Sequence, residues 1–136
     1  MTFALINPPG LYDAAKNGYS HLAILDPGVQ VICISGQGGE TEDGNLTADF
    51  TAQVRQAFKN LKIALAAAGV GPQHVAKLTV LIVDHTEAKL HIFGAELEQA
   101  FGTGPKPACT LIPVPRLALD GMLFEVEALA VLPRGS

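Results

Sequence analysis

Met122-Leu123-Phe124-Glu125-Val126-Glu127-Ala128-Leu129-Ala130-Val131-Leu132 alternates with the period of two that marks a β-strand. Met122, Phe124, Val126 and Ala128 project to one side and suit packing beneath helices. Leu123, Glu125 and Glu127 project to the other. Acidic side chains are depleted in strands, so a Glu-Val-Glu in an apolar strand needs a reason. Either the second face is solvated, as one face of an antiparallel sheet often is, or the carboxylates serve a purpose there.

The cover for the apolar face is found upstream. From Thr47 to Ala68 the residues Phe50, Val54, Leu61, Leu65 and Ala68 recur at helical spacing. Asn45 or Thr47 suits the cap, Asp49 the first turn and Gly69 the stop. A second helix is predicted from about Thr86 to Phe101, with Leu90, Phe93, Leu97 and Phe101 as its stripe. Asp84 and Glu87 stand at capping-box spacing, and Gly102 follows the last apolar residue. The rest reads as strands. Tyr19–Leu25 and Val29–Ser35 flank Asp26-Pro27-Gly28, which is turn chemistry and predicts a hairpin. Val75–Val83 is a buried strand between the helices. Cys109–Val114 pairs with the 122–132 strand across Asp120-Gly121, its end set by Pro113 and Pro115. The order predicts an α+β domain: one mixed sheet with both helices on the same face.

The chain has 136 residues, 49% of them hydrophobic and only 16% charged. So apolar a composition leaves surface that a subunit interface would cover. The length is that of one domain. Residues 1–132 form it, and Pro133-Arg134-Gly135-Ser136 reads as a possible cloning remnant. The longest nearly uncharged run, Val75–Val83, is too short to span a bilayer, and the first residues do not have the pattern of a signal peptide. The expected location is cytoplasmic, with no membrane partner. Two cysteines, Cys33 and Cys109, provide no disulfide framework. A net charge of −4 with three arginines disfavours nucleic acid as a partner, because phosphate neutralisation supplies most of such binding.

Ser35-Gly36-Gln37-Gly38-Gly39 ends a strand in a glycine-rich loop where backbone N–H groups and a hydroxyl could approach a ligand. It lacks the Walker lysine and the Gly-x-Gly-x-x-Gly spacing, and a plain turn into the acidic loop Glu40–Gly44 is the competing reading. His21, His74, His85 and His91 have no metal-ligand spacing. Cys33, inside an apolar strand, reads as a small core residue.

Several segments together resemble the RidA/YjgF family over residues 15 to 132. They are Tyr19-Ser20-His21, Ile34-Ser35-Gly36-Gln37, Asp49 through Asn60-Leu61 with Gly69, Lys77-Leu78-Thr79-Val80, Pro107-Ala108 and Leu123-Phe124-Glu125-Val126-Glu127-Ala128. The resemblance implies a chorismate-mutase-like fold and a homotrimer in which the sheets line the interior, the helices face out and clefts between neighbouring subunits bind a small-molecule ligand. Family members of the RidA type hydrolyse reactive imine and enamine acids, such as 2-aminoacrylate, to keto acids and ammonia, with no metal or cofactor. Carried over by position, Tyr19 is the cleft tyrosine, Ser35 and Gly36 form the ligand loop, and Glu125 positions a water. Cys109 departs from the pattern. After Pro107-Ala108 the deaminases place an arginine that clamps the substrate carboxylate, and Arg116 falls at a separate family position. A family cysteine is also replaced, by Leu111.

Two readings of function follow. One is a hydrolase or deaminase whose substrate differs from the usual 2-imino acids, with Glu125 activating water and Tyr19 and Ser35 orienting the ligand. The other is a non-catalytic small-molecule-binding or regulatory trimer. A ribonuclease role, attached to some relatives, is disfavoured by the acidity. Cys109 itself is either a small apolar filler that widens the cleft or a reactive thiol, and the second would require a positive neighbour to lower its pKa.

Overall fold

The computed structural model describes residues 2–133. Six strands and two α-helices follow one another as β1 (Phe3–Ile6), β2 (Leu22–Leu25), β3 (Val29–Gln37), α1 (Phe50–Ala67), β4 (Val75–Val83), α2 (Glu87–Phe101), β5 (Ala108–Val114) and β6 (Phe124–Pro133). The main sheet has the order β3-β6-β4-β5, antiparallel except for the parallel β4–β5 pair. The α+β class, the mixed sheet and the two helices on one face are as the sequence predicts. Pro133 closes β6 opposite Val29. Arg134–Ser136, read with Pro133 as a remnant, lie outside the described residues.

The period-two reading of β6 holds. Met122, Phe124, Val126 and Ala128 are buried, the last three in the core beneath the helices, where Phe124 is enclosed by Phe50, Phe58 and Phe93 at ring separations of 5.9–6.1 Å. Phe50, Val54, Leu61 and Leu65 of α1 complete this core, with Phe93 and Leu97 from α2. Each such side chain, fully buried, contributes roughly 1.5–3 kcal/mol.

Pairing departs from expectation in two places. The segments around Asp26-Pro27-Gly28 do not form a hairpin: β2 pairs with β1, Phe3 opposite Leu25, while β3 joins the main sheet beside β6. Turn chemistry reverses the chain there, but the partner of each strand is chosen by apolar burial. Phe3, Ala76 and Val131 bury together with Leu5, Ala23, Leu25 and Leu129, so β1–β2 covers one end of the second sheet face. Nor do β5 and β6 pair. β4 lies between them, because β5 returns through α2 as a parallel crossover. The caps also shift. Asp49, not Asn45 or Thr47, caps α1, its Oδ2 accepting from the Ala52 N–H at 2.9 Å. Thr86, not Asp84, caps α2, accepting from Lys89 at 3.2 Å. Both obey the preference for a short oxygen-bearing side chain three residues before the bonded N–H. No helix among the described residues is long and apolar enough to cross a membrane.

One polar side chain is enclosed by this core. Gln53 is fully buried on the apolar face of α1. Its amide donates to the carbonyls of Thr47 (2.8 Å) and Gly121 (2.9 Å) and accepts from the Leu123 N–H (2.8 Å). It therefore ties the approach to α1 to the turn that leads into β6. Gln53→Leu leaves all three backbone groups unpaired and is expected to destabilise the fold by about 3 kcal/mol. Urea unfolding monitored by circular dichroism checks this, and a midpoint equal to the wild type's would show that the three bonds contribute nothing.

Candidate functional site

The residues singled out in the sequence fall into two groups. Ser35 and Gly36 sit at an irregularity in the β3–β6 ladder: Ile34 faces Ala128 and Gln37 faces Val126, so two residues of β3 oppose one of β6. Such a bulge releases its residues from pairing and re-aims them. Here it lays Gly36 over Glu125. A Cβ at Gly36 would stand 2.5 Å from the Glu125 carboxyl carbon, so any larger residue would displace the carboxylate from where it now lies. Gly39 packs as closely on the backbone of Gln53, and Asn60 donates to the carbonyls of Gly38 (3.0 Å) and Glu40 (2.8 Å). The glycine loop is thus held by α1, and Ser35 stands exposed beside it.

Glu125 lies on the second sheet face, opposite Leu81 of β4. Partial burial pushes its carboxyl above the ordinary value, and the neighbouring charges of Glu40 and Glu127 push it the same way. Glu40 has a buried oxygen, Oε1, with no hydrogen-bond partner in the structure.

Tyr19 and Cys109 form the second group. A short 3₁₀ helix, Ala14–Asn17, is capped by Asp13 and ends at Gly18 in the left-handed conformation. The chain then meets the start of β5. Ser20 bridges to Ala108, its N–H donates to the Pro107 carbonyl at 3.2 Å, and its buried hydroxyl donates to the Lys106 carbonyl at 2.6 Å. These bonds place Tyr19 beside Cys109. Both line a cavity of about 340 Å³ with Tyr12, Leu90, Phe93 and Leu111. Burial pushes the Cys109 thiol up to about 11, with Lys77 acting weakly against it. The thiol is therefore protonated at neutral pH, which favours the filler reading over the nucleophile. Lys106, its nearest cation in sequence, turns away to the Gly104 carbonyl and Glu98.

Within one chain the two groups do not meet. Cys109 is in register with Leu78 and packs toward the helices, whereas Glu125 is in register with Leu81 on the opposite face. Strand spacing and rise put their backbones about 14 Å apart.

Cys33 is corrected. It is exposed on the second face, opposite Leu129, because strand alternation sends Ile34 and not Cys33 into the core. Sequence reasoning also missed Tyr12, Glu40 and Gln53. Only Gln53 carried a signal, as a polar residue on the apolar stripe of a helix; Tyr12 and Glu40 lie in loops with no period.

A two-helix layer on a mixed sheet, with a carboxylate under a glycine bulge and a tyrosine-lined cavity on the other face, defines a small α+β domain of the YjgF/L-PSP type. The family described as Endoribonuclease L-PSP matches residues 12–132. The RutC family protein YjgH of Escherichia coli is 35% identical over 103 residues, 76% of each chain. The 2-iminobutanoate/2-iminopropanoate deaminase of Rattus norvegicus is 34% identical over 122 residues, 87% of this chain and 82% of the relative. The crystal structure of YyfB, a Rid-family protein of Yersinia pestis, superposes with a TM-score of 0.91 at 33% identity, covering 97% of this chain and all of the other. The chain belongs to the RidA/YjgF family.

Proposed function

We propose that the protein is a hydrolase of small imines or enamines, acting in clefts between the subunits of a homotrimer on a substrate other than the usual 2-imino acids. The observation that carries this reading is Glu125: a carboxyl held on an open sheet face beneath Gly36, with its pKa raised by burial and by two neighbouring carboxylates. A carboxylate tuned upward in this way is suited to take a proton from water and return it to a leaving amine. Tyr19 and Ser35 orient the ligand, and Cys109 leaves room in the cleft. No metal or cofactor enters the mechanism. Relatives named as 2-iminobutanoate/2-iminopropanoate deaminases support the reaction class.

The separation of Tyr19 and Cys109 from Glu125 supports a site completed by a neighbouring copy. So do Val31 and Ile112, 47% and 42% exposed on the part of the second face that β1–β2 leaves open. The trimer is expected at micromolar concentration; light scattering that finds a stable monomer removes the basis for the shared cleft. Among the described residues Arg55 pairs with Glu96 and Arg116 with Asp120, and with a net charge of −4 this argues against an RNA partner.

A second reading, a binding or regulatory trimer without turnover, is favoured by one observation: a protonated thiol at the position where the family resemblance calls for an arginine. Ammonia release from a panel of imines generated in situ by an amine or amino-acid oxidase separates the two. Hydrolysis above the spontaneous rate supports the enzyme, and none across the panel supports the binder.

A further inference from the structure

We propose that the paired hydroxyls of Tyr12 and Tyr19 form a neutral donor site for an uncharged carbonyl group, so that the ligand carries a carboxamide or ester where a 2-imino acid carries its carboxylate. The inference rests on the cleft assignment above and names the class of molecule it takes.

Tyr12 lies in the loop before the 3₁₀ helix, seven residues from Tyr19, and the two hydroxyls are hydrogen-bonded to each other. Their rings meet edge to face at 6.4 Å. His21 packs edge-on against both, at 5.3 and 5.5 Å, and its Nε2 bonds to the Tyr12 carbonyl at 2.8 Å. The His21 backbone N–H donates to the Asn7 side chain at 2.9 Å, which fixes this short cluster to the chain after β1. Tyr12 is thus held in place although its side chain is open to solvent.

Two phenols own two protons. The bond between them uses one, and the other is left to donate outward, into the cavity shared with Cys109, Leu90, Phe93 and Leu111. Tyr19 keeps its proton at any working pH, since the bond to Tyr12 and then burial push it up to about 12.

No lysine or arginine is among the described residues lining this cavity. Lys77, on the other face of the sheet, acts on Cys109 from outside this lining, its ammonium donating to the hydroxyl of the lining residue Thr110 at 2.7 Å. A carboxylate entering here would lose water and meet only neutral groups on the lining, the thiol, the apolar side chains, the free phenol O–H and the Asn17 and Thr110 side chains, none of which compensates its charge. A neutral carbonyl needs one donor and finds it. The apolar walls accept a hydrocarbon substituent on the same molecule.

Binding of phenylglyoxylamide and phenylglyoxylate, which share a shape and differ in charge, tests this by calorimetry on the full chain. The wild type is expected to bind the amide at least about tenfold tighter than the anion. Removing both hydroxyls together, Tyr12→Phe with Tyr19→Phe, is expected to lose about tenfold in amide affinity and nothing for the anion, as for one hydrogen bond, whereas Tyr12→Phe alone frees the Tyr19 proton to donate and keeps the amide bound. Cys109→Arg is expected to reverse the preference. Equal or tighter binding of the anion to the wild type overturns the proposal. So does a wild type that fails to bind the amide, or a doubly substituted variant without either hydroxyl that binds it as well as the wild type. Anion binding that Lys77→Met removes would overturn it too, by showing that a cation serves the site. An amide preference without turnover of any imine would sink the hydrolase reading and leave this one standing. Turnover without the preference does the reverse.

Discussion

Glu125→Gln is expected to lower imine hydrolysis by at least about a hundredfold, the scale of a lost general base, while the fold and the assembly stay intact. Glutamine keeps the shape of the side chain under Gly36. No hydrogen bond from the Glu125 carboxylate to the described residues is broken by the change, and removing one of three clustered acids relieves repulsion from Glu40 and Glu127. Steady-state ammonia release, with light scattering on the same samples, checks both halves of the expectation. Full activity in the variant would take Glu125 out of the mechanism. The pH profile is a companion readout. A base works deprotonated, so the rate should fall as pH drops through a carboxyl pKa displaced above the ordinary glutamate value, and that acid limb should vanish in Glu125→Gln.

The second large effect concerns the residue at 109. The wild type is expected to clear 2-iminopropanoate thirty- to a thousandfold more slowly than the deaminase of Rattus norvegicus assayed in parallel. A bidentate arginine–carboxylate pair in a partly desolvated cleft contributes about 2–4 kcal/mol, and a neutral thiol supplies almost none of it. Cys109 cannot substitute by ionising, since burial holds its proton well above neutrality. Cys109→Arg places a guanidinium beside Tyr19, and a partial gain of 2-iminopropanoate hydrolysis is expected if the rest of the cleft is intact. A wild type as fast as that deaminase would end the idea that position 109 sets the substrate.

Much of the fold was legible because it is written locally. The alternation in β6 and the stripes of α1 and α2 each need only a dozen neighbouring residues, and the buried side chains are those the periods mark. Pairing was not legible. Asp26-Pro27-Gly28 reverses the chain whether or not the flanking strands share a ladder, and β2 went to β1, a four-residue strand with too few residues to show a period. The same limit hid the site's second half. Nothing near Tyr19 in sequence says that Ser20 will bridge to Ala108, 88 residues on, and so bring the tyrosine to Cys109. Ser35, Gly36 and Glu125 were found by position along the resemblance, but their contact depends on a bulge that no local pattern announces.

The strand order has a consequence for how the chain is made. β6 sits between β3 and β4, yet both precede it in the chain by more than forty residues. While synthesis proceeds from the amino end, β4 and β5 can pair as soon as each emerges, but β3 has no neighbour and β4 keeps one edge bare until residues 124–133 leave the ribosome. The apolar faces of both helices wait on the same event, because Phe124 and Val126 are the floor they pack on. Folding is therefore gated on the last strand to appear. Until then the nascent polypeptide carries unpaired, hydrophobic strand edges of the kind that chaperones shield and that aggregate when left uncovered.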